Sequence, residues 1–246
     1  MRYKLTVEYC GTNYCGFQKQ PNFTQKSVEK VLEEAVFQMA KTRVKIITSG
    51  RTDAGVHALG QVIHFDLNKK FEPHRIIMGL NNYLQKEEVT ILKCELVDEN
   101  FHARFSAKAR HYRYQIINRT APLTLEKNHA WHLGQKLDVE KMKKAAKFLI
   151  GTHDFSSFRD KKCQAKSPIT TIQKILVIQN NEKISIEISA KSFLHHMVRN
   201  IVGTLILIGS EKILAEEMQQ ILESKTRTKS GPNAPACGLY FLQVDY

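Results

Sequence analysis

The 246-residue chain has no long hydrophobic run. Its longest uncharged apolar stretch, Ile201 to Gly209, holds nine residues, against the roughly 20 that span a bilayer as a helix. The amino-terminal stretch Met1-Arg2-Tyr3-Lys4-Leu5-Thr6-Val7-Glu8 also lacks the apolar core of a secretory signal. Cysteine is sparse: Cys10, Cys15, Cys94, Cys163 and Cys237 are odd in number, scattered, and never in a C-x-x-C pair. That argues against a zinc knuckle and against a disulfide framework. Acidic residues are in deficit, with 24 Asp+Glu against 37 Lys+Arg and a formal charge of +13. No P-loop, G-x-G-x-x-G fingerprint or G-x-S-x-G elbow occurs. These absences lead to the expectation of a soluble, cytoplasmic protein with no membrane association. The cationic excess favours a polyanionic partner, nucleic acid ahead of an anionic membrane surface. An apolar fraction of 42% leaves enough surface to bury that a disordered chain is excluded.

The periodicities that are present predict an α+β protein. Tyr3, Leu5, Val7 and Tyr9 alternate with polar neighbours as in a half-buried strand, and a loop rich in Gly, Asn, Gln and Pro runs on to Thr24. Ser27 is placed to cap a helix whose apolar residues Val28, Val31, Leu32, Ala35, Val36 and Met39 keep helical spacing. Short strands are expected at Val44–Thr48 and Gln61–Asp66, a helix opened by Pro73 through Leu84, and a strand at Val89–Leu96. That order is β-α-β-β-α-β, the ferredoxin-like split-βαβ pattern. It recurs in the second half. There we expect strands at Ala107–Asn118, Thr171–Gln179, Lys183–Ala190 and Leu239–Asp245, and helices at Asp138–Leu149, around Met197–Leu205 and at Glu211–Leu222. Two related halves are therefore expected, with a mixed, mainly antiparallel sheet and helices on one face. The boundary is placed near residue 105, giving an N-terminal domain at 1–105 and a C-terminal domain at 106–246. Charge divides unevenly: 15 Lys+Arg against 12 Asp+Glu in the first, 22 against 12 in the second.

The densest polar cluster is Ser49-Gly50-Arg51-Thr52-Asp53-Ala54-Gly55-Val56-His57-Ala58. In extended chain Arg51 and Asp53 leave on the same side, and a guanidinium beside a carboxylate keeps it ionised and oriented. Such a carboxylate serves as a nucleophile or a base; the same spacing also describes a surface turn with an ion pair. Lys108-Ala109-Arg110-His111-Tyr112-Arg113-Tyr114 alternates cations with aromatics, putting Arg110, Tyr112 and Tyr114 on one strand face and His111 and Arg113 on the other. It suits either phosphate contact with base stacking or an amphipathic core strand. In Phe193-Leu194-His195-His196-Met197-Val198-Arg199, residues His195 and Arg199 share a helix side. No chelating spacing accompanies the two histidines, so no metal is expected. Asp154-Phe155-Ser156-Ser157-Phe158-Arg159, with Lys161, Lys162 and Lys166 behind it, reads as a basic loop anchored by its phenylalanines, or simply as a solvated one.

Taken in order, these segments resemble the TruA-type tRNA pseudouridine synthases. Gly50-Arg51-Thr52-Asp53-Ala54-Gly55-Val56-His57 looks like the signature of that family, in which the Asp is catalytic. Phe101-His102-Ala103-Arg104-Phe105-Ser106-Ala107 with Ala109 to Tyr114 resembles its second hallmark, whose active-site tyrosine falls on Tyr112. Asp154 to Phe158, His196 to Gly203 and Gly238-Leu239-Tyr240 match as well. Two departures occur in the first loop: Cys10 stands where Asp is usual and Phe17 where Trp is common. They put loop contacts in question rather than the reaction.

The resemblance implies isomerisation of uridine to pseudouridine at positions 38 to 40 of the tRNA anticodon arm. It implies a homodimer, two domains lining a basic cleft, and no cofactor or metal. Asp53, Arg51 and Tyr112 would be catalytic; Tyr112, Arg110, Arg199, His57, Phe155 and Arg159 would bind substrate. The target base must leave its stack. Asp53 would then attack the sugar C1′ or the base C6, or assist proton abstraction at C2′, with Arg51 holding it beforehand. Tyr112 would stack on the uracil and Arg199 would pair with Asp53. Two other readings stand beside this one: a catalytically silent tRNA-binding protein of the same fold, and a carboxylate-dependent glycosylase that releases the base.

Overall fold

Alternation makes the first strand. In β1 (Arg2–Tyr9) the side chains of Tyr3, Leu5, Val7 and Tyr9 are buried, while the residues between them face outward. The computed structural model describes residues 1–19 and 24–246; residues 20–23 of the expected loop lie outside the described residues. The chain forms two compact units, Met1–Lys108 with Tyr240–Tyr246, and Ala109–Leu239.

In the first unit β1 leads to α1 (Val28–Ala40), where Ser27 Oγ accepts the Lys30 N–H at 3.2 Å and Lys41 ends the helix in a left-handed conformation. Then come β2 (Ile47–Thr48), β3 (His57–Asp66), α2 (Pro73–Tyr83) and β4 (Val89–Val97). The strands lie in the order β4-β1-β3-β2, each neighbouring pair antiparallel, with Leu5 opposite Ile63 and Cys94 and with Ile47 opposite His64. This is the split-βαβ arrangement, and β3 at its centre is buried almost throughout. It starts four residues earlier than the sequence reading, because the polar His57 and Gln61 hide a strand that is buried on both faces.

The second unit contains β5 (Ala109–Asn118), β6 (Trp131–Leu133), α3 (Val139–Lys147), β7 (Gly151–Asp154), β8 (Ile169–Asn180), β9 (Lys183–Ala190), α4 (Met197–Gly209) and α5 (Glu217–Glu223). Its strands run β7-β8-β9-β5-β6. The neighbours β8-β9-β5 repeat the β2-β3-β1 relation of the first unit, so the two halves are related α+β arrangements. Asn181, in the left-handed region, turns the β8–β9 hairpin. Helix α4 is buried almost all round and packs on α3.

The last strand, β10 (Leu239–Asp245), pairs in parallel with β3 through Tyr240 opposite His57 and Phe241 opposite Ala58. It thus returns to the first unit, the compact unit that also holds Met1–Lys108. Three local differences from the sequence reading have physical reasons. β6 and β7 are too short to show alternation. The helix expected from Glu211 begins only at Glu217, because Glu211 adopts a positive φ of 60° that no α-helix accommodates. No helix among the described residues is long and apolar enough to cross a membrane.

Candidate active site

The loop joining β2 to β3 carries Asp53, and its neighbours are held from two sides. Along the extended run Arg51 is exposed, Thr52 buried and Asp53 half-exposed, the alternation that puts the two charged residues on one side. Thr52 faces inward and its Oγ1 lies 2.8 Å from the Tyr9 hydroxyl. Gln61, on β3, donates to the Gly50 carbonyl at 2.9 Å and to the Tyr9 hydroxyl at 3.5 Å, while its Oε1 accepts from Ser49 Oγ at 2.5 Å. These groups are buried and uncharged, and burial pushes the Tyr9 phenol up to about 12. Behind Asp53 the chain turns tightly: Gly55 has a φ of 78°, and the Val56 N–H donates to the Asp53 carbonyl at 3.2 Å.

The second brace comes from the loop after β1. The Phe17 N–H donates to the Thr52 carbonyl at 3.0 Å, and the Gly11 N–H to His57 Nδ1 at 3.1 Å. Both glycines are required. A Cβ on Gly11 would lie 2.0 Å from the Val56 carbonyl oxygen, and one on Gly16, where φ is 108°, 2.7 Å from that of Thr52. The same loop docks on α1, since the Val28 and Glu29 N–H groups donate to the carbonyls of Gly16 and Phe17. Phe17 is buried against Tyr9, with ring centroids 6.3 Å apart. It therefore fills the core behind the loop. Cys10 donates to Thr12 at 3.3 Å.

His57 needs a correction. It was a substrate-binding candidate, yet it is only 2% exposed, accepts from Gly11, and stacks on Tyr240 at 4.7 Å. Its ring fastens the first loop and the last strand to β3.

The second unit places the remaining candidates. On β5 the residues Arg110, Tyr112 and Tyr114 share the buried face, whereas His111 and Arg113 are half-exposed. Tyr112 meets Phe193 edge-on at 5.0 Å. Tyr114 is fully buried, donates to the Pro235 carbonyl at 2.7 Å, and has its phenol pushed up by burial. The Arg110 guanidinium donates to the Lys191 carbonyl. Half-exposed Arg199, in the first turn of α4, donates through Nε to the Ala234 carbonyl at 2.7 Å. Just before that helix His196, at a φ of 61°, meets Asp160 through Nδ1 at 2.9 Å, and the Lys162 N–H and both histidines hold the Asp160 carboxyl below its usual range. Arg159 donates to the carbonyls of Cys163 and Ala165 at 3.0 and 2.7 Å, folding its own loop.

Phe155 is a further correction. It was expected to touch substrate, but it has no exposed surface and packs against Phe158 and the edge of His153. It anchors its loop to the core.

Sequence reasoning missed the neutral support of the Asp53 loop: Tyr9, Thr52, Gln61 and Ser49. The available signal was a glutamine among the mostly apolar residues Ala58 to Phe65, since a polar side chain in a buried strand must find partners. It also missed Asn200, fully buried on α4, which donates to the Phe158 carbonyl and accepts from Arg227.

The geometry presents one half-exposed carboxylate on a tightly braced loop, and an aromatic–cationic strand elsewhere in the chain. Comparison with known proteins identifies the family. A family model described as tRNA pseudouridine synthase matches residues 5–106 and 145–246. Two proteins named tRNA pseudouridine synthase A, from Ehrlichia chaffeensis and Ehrlichia canis, are each 48% identical over 246 residues, covering all of both chains. A solved structure, of a Cbf5-Nop10-Gar1 complex, overlaps 83% of this chain and 44% of its own at 8% identity and a TM-score of 0.36, too slight a likeness to bear on the architecture. The full-length identity and the two matched segments together show that the chain belongs to the tRNA pseudouridine synthase family and is an isomerase of the TruA type.

Proposed function

We propose that the protein converts uridine to pseudouridine at positions 38 to 40 of the tRNA anticodon arm, with Asp53 as the nucleophile acting on a flipped-out base. The observation that carries this reading is the Asp53 loop: its backbone is braced by buried neutral groups while the carboxylate side stays half-exposed. A rigid carboxylate loses little freedom on meeting substrate, which is the advantage of a preorganised nucleophile.

The bond to N1 breaks, the uracil rotates while held, C5 bonds to C1′ and gives up its proton, and N1 takes up one proton, either that one or another from solvent. Atoms and electrons are conserved, so the reaction itself calls for no redox carrier or group donor. Asp53 attacks C1′ or C6, or assists deprotonation at C2′. Arg51 holds the carboxylate before substrate enters. Tyr112 stacks on the uracil and helps to deprotonate C5. Cations including Arg110, Arg159 and Arg199 meet RNA phosphates, and binding should weaken steeply with salt as counterions are released. We further propose domains at 1–105 and 106–246 as the functional halves, a homodimer, and action in the cytoplasm.

The test is incubation with unmodified tRNA followed by chemical labelling that maps pseudouridine. Label at positions 38 to 40, without free uracil, supports the reading. Free uracil would instead indicate a glycosylase, and tight binding with no conversion a silent RNA-binding protein.

A further inference from the structure

The turn after β4 displays an aromatic ring that the reaction described above does not use. Phe105 is 76% exposed, yet its backbone is tied down on both sides. His102 Nδ1 accepts the N–H groups of both Arg104 and Phe105 at 3.2 Å. The Ser106 N–H returns to the His102 carbonyl at 2.9 Å, and the His102 N–H donates to Ser106 Oγ at 2.9 Å. Between them the Ala103 N–H donates to His64 Nδ1 on β3 at 3.1 Å, and the Ala103 carbonyl accepts from the Tyr246 hydroxyl at 2.8 Å. The turn is thus tied to the central strand and to the chain's last residue.

The two imidazoles act as acceptors in these bonds, which requires them to be neutral at the nitrogen concerned. Burial and the nearby Arg2 lower both, His64 to about 4, which favours the neutral form.

On this turn the His102 ring lies 4.4 Å from that of Phe105, inclined by 31°, and the Arg104 guanidinium sits 5.6 Å from the Phe105 centroid. The two side chains seen against the ring, His102 and Arg104, are polar and cationic. A protein-binding hot spot would instead sit within an apolar surround that excludes water. An outward aromatic face with a cation beside it suits a nucleobase, because every base offers a π-face and the adjacent phosphate suits the guanidinium.

Resting on the tRNA reading, we propose that Phe105, supported by His102 and Arg104, is a stacking platform for an unpaired base of the RNA substrate other than the target uridine. The platform is anchored at His64, seven residues along β3 from His57 and hence about 23 Å from the start of that strand at its ordinary rise. The reacting base belongs at Asp53, beyond the opposite end of β3, so the platform reads a different nucleotide and contributes to binding rather than to the chemical step.

Three variants test this: Phe105→Ala, Phe105→Leu and Phe105→Trp. Affinity for unmodified tRNA is measured by equilibrium binding, and turnover by pseudouridine formation. Loss of a base–aromatic stack should weaken tRNA binding roughly 5- to 100-fold in the Ala and Leu variants. Their KM should rise in step and kcat should hold. The Trp variant should bind like the parent and show indole quenching on adding tRNA beyond any given by Trp131 in the parent. Equal affinity of all four proteins overturns the proposal, and so does a change of oligomeric state in the Ala variant by sedimentation, which would mean that the ring seats against protein. A parent that binds tRNA without converting it would overturn the functional reading, while the affinity series would still decide the platform. A parent that does not bind tRNA overturns both.

Discussion

The loop at residues 49–56 and the basic loop that begins at Arg159 look alike in the sequence: each is polar, charged and close to a glycine. They are built on opposite plans. The first is held by neutral, buried groups, Tyr9, Thr52, Gln61 and Ser49, and by backbone donors from the loop after β1. Of its charged residues Arg51 is exposed and Asp53 half-exposed. The second is held by its charges: Arg159 donates to its own loop's carbonyls, and Asp160 accepts from Lys162 and His196. A charge used as an internal tie is committed to one geometry. Support by neutral groups does not commit a carboxylate to an internal tie, and on the proposed function this difference separates the loop of Asp53 from a folded basic one.

The largest effect that can test this contrast is on turnover. Asp53→Asn is isosteric and leaves the neutral brace intact, so it should abolish pseudouridine formation while keeping tRNA affinity within a few-fold. Turnover at the parent rate would remove Asp53 from the chemistry. Asp160→Asn should leave substantial turnover and instead lower the melting temperature at neutral pH. Because its folded pKa is depressed, the Asp160 contribution is present above the ordinary carboxylate range and lost as pH falls through the folded value. Parent and variant melting temperatures should therefore converge in acid.

A matched pair of glycines gives the next largest effect. Gly16 and Gly151 share nearly the same backbone, with φ of 108° and 110°. A Cβ on Gly16 meets the fixed Thr52 carbonyl at 2.7 Å, whereas one on Gly151 meets the end of the His153 side chain at 3.3 Å. Both Gly→Ala changes should cost about 1–2 kcal/mol for the left-handed backbone. Only Gly16→Ala should also displace the Asp53 loop, lowering kcat on the order of 100-fold, the scale of a 1 Å misplacement. Equal activity of the two variants, measured where both are folded, would show that the brace does not position Asp53.

The same contrast explains how much was legible beforehand. Asp53 and its signature block are contiguous, and the alternation in β1 and the capped α1 are local patterns, so these could be read directly. The brace could not: Tyr9 and Gln61 are 52 positions apart and meet only because β1 pairs with β3. His57 misled because a polar residue beside a catalytic signature invites a binding role, and its burial depends on Gly11 and Tyr240 arriving from distant parts of the chain. Phe155 misled in the same way. The return of β10 to β3 depends on contacts that no local pattern encodes.

A smaller effect probes the brace itself. Thr52→Val keeps the shape but removes the bond to the Tyr9 hydroxyl, leaving that phenol with the longer Gln61 contact at 3.5 Å. It should cost about 1–2 kcal/mol in denaturant unfolding. A neutral result would mean that Thr52 is placed by the Phe17 backbone bond alone.

The smallest effect is a pH signature of that buried phenol. Tyr9 sits at about 12 in the folded protein because burial disfavours the phenolate, against about 10 in an unfolded chain. A raised folded pKa means that the stabilisation is complete below the unfolded value and is lost as pH rises through the folded one. At about pH 10.5 the loss should be only about 0.8 kcal/mol. Tyr14 and Tyr114 are also raised, but both persist in Tyr9→Phe and cancel in the difference. The stability gap between parent and Tyr9→Phe should therefore shift toward the variant above about pH 10. A gap that stays constant to about pH 11 would mean that the Tyr9 hydroxyl reaches water, and that the inner support of the Asp53 loop is wetter than its packing implies.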